Sequence, residues 1–236
     1  MRIDYYEELT EKTLDELVSF ADWMNKNFGN YPLIIGGWAV WSYAHRLGSK
    51  DIDAVFPDKR TMAVALKTFF QAHGWKKTTL NQFAKHVETN KGLEQITIDT
   101  LTKQDSFLDS KLGIKLPLKL AFENCREYKL KKGLIYVPEP ELLICYKIAA
   151  HLGRTQKLIT VSGATAARFE SKIWKDAYDV ISIIKTTELN KAKILHFLKL
   201  LDLYKYLDRF LDDLEGRREI LAEFNTNIKE IRQILK

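Results

Sequence analysis

Apolar positions three and four residues apart run from Leu14 to Phe28 (LDELVSFADWMNKNF), the spacing of a helix with one buried face. Pro32 introduces Leu33-Ile34-Ile35, a short continuous apolar run that predicts a buried strand ending at Gly36-Gly37. WAVWSYAHRL predicts a helix opening directly after the glycines, and DIDAVF predicts the next strand. Lys59 to His73 predicts another helix, and GWKKTTL, FAKHVET and LEQITIDTL predict three strands separated by Asn- and Gly-containing turns. Helix, strand, helix, strand, helix and then strands make a mixed sheet with helices on one side, an α+β arrangement.

Between Thr102 and Gly133 the pattern is less legible, although REYKLKKGLIYVP predicts a hairpin turning at Lys132-Gly133. Beyond Pro138 and Pro140 the period becomes helical throughout, in ELLICYKIAAHL, ARFESKIWKDAYDVISII and LNKAKILHFLKLL. This change of period puts a boundary near Val137, with an α/β domain over 1–137 and a helical domain over 138–236. KLITVSGATA, Lys157 to Ala166, is predicted to be a mobile loop.

Composition narrows the class. Of 236 residues, 46% are apolar and 11% aromatic, enough for a folded core. The net charge of +6 favours polyanionic partners such as RNA, DNA or nucleotides, although many solvated faces would produce the same excess. Cys125 and Cys145 are far apart and unaccompanied by a histidine cluster, which argues against a zinc site or disulfide framework and fits a reducing cytoplasm. The start, MRIDYYEELTEK, lacks the apolar core of a signal peptide, and no apolar run reaches membrane-spanning length, so a cytoplasmic location is expected.

The candidate chemistry lies between Gly36 and Phe56. A strand entering Gly36-Gly37 and passing at once into a helix leaves backbone N–H groups at a helix N-terminus with no side chain in the way, a cradle for phosphate. In the following strand Asp51 and Asp53 share one face while Ile52 points to the core. Two carboxylates at this spacing suit a hard cation such as Mg²⁺, with phosphate oxygens completing its shell. Asp99, in ITIDTL, lies on a strand whose Ile96 and Ile98 face the core, which makes it a candidate third acid. Three acids beside a phosphate cradle suit phosphoryl transfer assisted by two metal ions.

Gly36-Gly37, thirteen further residues and then Asp51-Ile52-Asp53 resemble the signature of the DNA polymerase β-like nucleotidyltransferase superfamily. GGWAV is similar to the opening of small antibiotic-modifying adenylyltransferases. PEPELLICYKIAAHLGR followed by KIWKDAYDVISII resembles the AbiEii-type nucleotidyltransferase toxins, and the resemblance covers roughly Leu33 to Ile184. It implies an Mg²⁺-dependent enzyme with two ions, an NTP as substrate, and Asp51, Asp53 and Asp99 as catalytic metal ligands. Gly36, Gly37, Ser49, Lys50, Lys147 and Asp176 would bind the nucleotide, while Asp179 would steady its helix or Lys147. The implied acceptor is RNA, such as a tRNA 3′ end, and the implied partner a cognate antitoxin. This chain departs from that family by carrying Gly37 where many members have Ser, and by one extra residue between Arg46 and Asp51.

Other readings compete. A small hydroxyl compound of the antibiotic type is an alternative acceptor, and a non-catalytic nucleotide- or RNA-binding module an alternative function. Lys147 alone would be a lysine snorkelling from a packed face, and Asp176 and Asp179 surface partners of Lys172 and Lys175. The five histidines show no ligand spacing; Trp38, Trp41 and Tyr43 read as core; Lys129, Lys131 and Lys132 read as a solvated hairpin or a nucleic-acid patch.

Overall fold

The computed structural model describes residues 7–109 and 112–236. The chain forms two compact units. One extends to Ser106 and resumes over Pro117–Glu139; the other contains Phe107–Leu116 and Pro140–Lys236.

The first unit is built on a sheet. After α1 (Glu7–Phe28) come β1 (Leu33–Ile35), α2 (Gly36–Ala44), β2 (Asp51–Phe56) and α3 (Lys59–Ala65), which continues through a π-helical turn over Leu66–Phe70. Then follow β3 (Lys76–Lys77), β4 (Gln82–Thr89) and β5 (Gly92–Thr102). β6 (Ser106–Asp109) and β7 (Ile114–Pro117) form a two-stranded sheet of their own, and α4 (Leu118–Glu123), β8 (Cys125–Lys129) and β9 (Leu134–Pro138) follow. Among the described residues the main sheet has the order β3-β4-β5-β2-β1-β9-β8. It is mixed: β1 runs parallel to β9 and antiparallel to β2, while β2 runs parallel to β5. The predicted hairpin is present, with β8 antiparallel to β9.

Alternation along β2 sends Ile52, Ala54 and Phe56 to one face, where all three are fully buried. On that face Phe20 of α1 meets Phe56, Phe69 and Phe70 at ring centroid distances of 5.7, 5.3 and 5.9 Å. Each such pair contributes about 0.5–1.5 kcal/mol beyond the area it buries. Asp58 fixes the start of α3 by accepting from the Thr61 N–H at 2.7 Å, which holds its carboxyl below the ordinary aspartate range.

The second unit is helical after β6 and β7: α5 (Pro140–Leu158), α6 (Gly163–Thr186), α7 (Lys191–Leu200), a 3₁₀ turn at Tyr204–Tyr206, α8 (Leu207–Glu215), α9 (Arg218–Glu223) and α10 (Ile228–Leu235). The loop predicted over Lys157 to Ala166 is mostly helix; only residues 159–162 separate α5 from α6. Alanine in the GATAA run favours helix strongly enough to start α6 at once. Among the described residues no helix is long and apolar enough to cross a membrane.

Candidate active site

Gly36 occupies the junction of β1 and α2. Its neighbour Ile35 lies opposite Asp53 in the antiparallel β1–β2 pair. Gly36 adopts φ +70°, and a Cβ on it would lie 1.9 Å from Asp53 Oδ2, so a side chain is excluded by both backbone conformation and space. The residue preceding α2, Ile35, supplies no side-chain cap, so the opening N–H groups of this nine-residue helix receive no hydrogen bond from its side chain. Gly37 is buried in that first turn.

The carboxylates are organised by strand register. In the parallel β2–β5 pair, Asp53 stands beside Asp99 and Asp51 beside Thr97, which places all three acids on one face, while Ile52 and Ile98 pair on the other and are fully buried. All three acids are half-buried. Gln82, opposite Asp99 in β4, donates from Nε2 to Asp99 Oδ1 at 2.9 Å. Thr97 donates from Oγ1 to Asp51 Oδ1 at 2.8 Å. The buried Ser49 accepts from the Asp51 N–H through Oγ at 3.3 Å, and the exposed Lys50 accepts through its carbonyl from the Thr97 N–H at 3.1 Å. Gln82 and Thr97 escape a reading of the sequence because only the register brings them to the acids.

Among the described residues no group of three or more His, Cys, Asp or Glu side chains is arranged to hold a metal ion by itself. Mg²⁺ ordinarily takes one or two carboxylates together with substrate phosphates rather than an all-protein cage. The adjacent Asp53 and Asp99, backed by Asp51, fit that chemistry because they are hard anionic oxygen donors grouped on one face of the sheet.

In the helical unit, Lys147 Nζ lies 2.6 Å from Asp179 Oδ2 and 3.5 Å from Asp176 Oδ1. Asp176 also pairs with Arg154, and Lys175 Nζ lies 3.3 Å from Asp179 Oδ2. Burial disfavours the charge on Lys147, but Asp179 and Asp176 together outweigh it and raise its pKa. For Lys175 burial prevails, aided by repulsion from Lys147, and its pKa is lowered. Asp179 therefore serves two buried ammonium groups.

Trp38 and Tyr43 are core residues, whereas Trp41 is half-buried and packs edge-on against His45 and Tyr128 at 5.1 and 6.2 Å. Cys125 and Cys145 are both free thiols.

No family model and no curated protein matches the chain. Among solved structures it is similar to the crystal structure of an antigenic nucleotidyltransferase-like protein from Paracoccidioides brasiliensis, at 17% identity over 93% of each chain with a TM-score of 0.54. It is also similar to the solution structure of the antibiotic-resistance factor ANT(2'')-Ia, at 15% identity over 90% of this chain and 99% of that one with a TM-score of 0.45. The first likeness identifies the architecture. This is a nucleotidyltransferase-like α+β fold, a mixed sheet with flanking helices.

Proposed function

We propose that the protein is an Mg²⁺-dependent nucleotidyltransferase that moves a nucleoside monophosphate from an NTP to a hydroxyl acceptor and releases pyrophosphate. The observation that carries this reading is the register of Asp53 beside Asp99, with Asp51 on the same face and Gly36 against Asp53. The nucleotidyltransferase-like fold supports it.

In this reading Gly36, Gly37, Ser49 and Lys50 would receive the triphosphate, and Asp51, Asp53 and Asp99 would hold two Mg²⁺ ions. Bound Mg²⁺ would supply charge neutralisation on the triphosphate and acidification of the acceptor hydroxyl. Asp99 takes the hydroxyl proton as the acceptor oxygen bonds to the α-phosphorus, and the bond from that phosphorus to pyrophosphate breaks. Lys147 and Asp176 would also bind the nucleotide, so Lys147→Ala should raise the KM for NTP.

The proposed acceptor is the 3′ end of an RNA such as a tRNA; its support is the net charge of +6 and the resemblance to AbiEii-type toxins, which also implies a cognate antitoxin. The test is label transfer from each α-³²P NTP with Mg²⁺ and total cellular RNA, comparing the native protein with Asp51→Ala/Asp53→Ala. Labelled RNA that vanishes in the variant is the expected result. Labelling confined to small hydroxyl compounds would move the acceptor to the antibiotic type. Absence of transfer to either, with nucleotide binding retained, would replace the enzyme by a binding module.

A further inference from the structure

We propose that Gln82 and Thr97 are positioning residues that hold Asp99 and Asp51 ready for a divalent cation. The inference rests on the metal-dependent reading of the same site.

Two rows of side chains cross the sheet at right angles to the strands. One reads Gln82, Asp99, Asp53 and Ile35, across β4, β5, β2 and β1. The other reads Ala84, Thr97 and Asp51. Each row contains one neutral donor bonded to one carboxylate oxygen: Gln82 Nε2 to Asp99 Oδ1 at 2.9 Å, and Thr97 Oγ1 to Asp51 Oδ1 at 2.8 Å. The first row is bracketed at its other end by Gly36, whose missing Cβ leaves room for Asp53 Oδ2.

The chemical type of the donors matters. A lysine or arginine at either place would fix the carboxylate but add a positive charge where a cation must bind. An amide and a hydroxyl fix it and leave the charge of the acids intact. Each donor uses one oxygen of its carboxylate, restricts the side chain to one rotamer, and so removes ordering that metal binding would otherwise have to impose. The donors themselves are anchored in the strand ladders: the Thr97 N–H bonds to Lys50 O at 3.1 Å, and Gln82 begins β4.

The experiment measures Mn²⁺ binding by electron paramagnetic resonance on the full chain, with thermal melting as a check on folding. Thr97→Val keeps shape and removes the hydroxyl; Thr97→Ser restores the donor; Gln82→Met keeps length and removes the amide. The expected result is Mn²⁺ binding weaker by roughly 10–100-fold in Thr97→Val and Gln82→Met, the scale typical of residues that orient metal ligands, and near-native binding in Thr97→Ser. The Mg²⁺ concentration for half-maximal transfer should rise in parallel. Unchanged Mn²⁺ affinity in both donor-less variants, with binding lost in Asp53→Ala, would overturn the positioning role and leave the enzyme reading intact. Native protein that binds no Mn²⁺, with or without NTP, would overturn both.

Discussion

Asp179 shows how much can rest on one carboxylate. It is almost wholly buried and accepts from Lys147 at 2.6 Å and from Lys175 at 3.3 Å. Removing one partner of a buried ion pair leaves uncompensated charge, which costs about 3–5 kcal/mol. Asp179→Asn keeps the shape of the side chain and removes the charge that two buried ammonium groups face, so urea unfolding should show a loss in that range. Lys175→Met should be close to neutral, because burial and Lys147 already oppose the charge on Lys175. A loss below about 1 kcal/mol for Asp179→Asn would mean that water reaches the cluster and screens it. The pairing of Lys175 with Asp179 is legible in their helical spacing, whereas that of Lys147 with Asp179 was implied only by the family resemblance. It depends on which face α5 turns to α6, and no local period specifies that.

At the scale of elements, His151 ties three helices together. From α5 its Nδ1 lies 3.1 Å from the Ile173 carbonyl in α6, and its Nε2 lies 2.7 Å from Asp213 Oδ2 in α8. The His151 hydrogen bond, with help from Arg217, holds the Asp213 carboxyl below the ordinary aspartate range against the opposing effect of burial. A carboxyl more acidic in the folded chain contributes stability that is complete above its unfolded pKa and is lost as pH falls through its folded one. Thermal melts taken downward from neutral pH should therefore show the native protein losing stability below about pH 4, and Asp213→Asn losing less over that interval. Equal slopes would remove the linkage. Elements this long announce themselves: α5 and α6 carry several turns of apolar period, and β5 alternates clearly. Short elements such as β6, β7 and α4 do not span enough of a period to be read. The pairing of Asp53 with Asp99 was equally hidden, because β2 and β5 are parallel strands with α3, β3 and β4 between them in the chain. The acids were legible as types; Gln82 and Thr97 became visible only with the register.

At the scale of the molecule, the order of residues in the chain and their grouping in space part company over Phe107–Leu116. A change of hydrophobic period is sensed along the chain and points to a single cut near Val137, whereas the helical unit takes in this earlier segment and Pro117–Glu139 belongs to the sheet unit. The early segment is bound into its unit by specific contacts. Tyr206 donates from its hydroxyl to the Leu112 carbonyl at 2.7 Å, and Gly153 of α5 leaves the space beside it to Asp109, whose Oδ2 would lie 2.8 Å from an added Cβ. Leu112 and Ile114 are both buried. Burying two such side chains contributes about 3–6 kcal/mol, a large part of the 5–15 kcal/mol that stabilises an ordinary domain. A fragment spanning 140–236 should therefore keep helical circular dichroism but lose a sharp thermal transition, while a fragment spanning 107–236 should melt cooperatively with 117–139 as an unneeded insertion. Equal transitions in the two fragments would make the segment peripheral; a gain in cooperativity from restoring 107–116 would show that a strand pair placed far upstream completes the helical core.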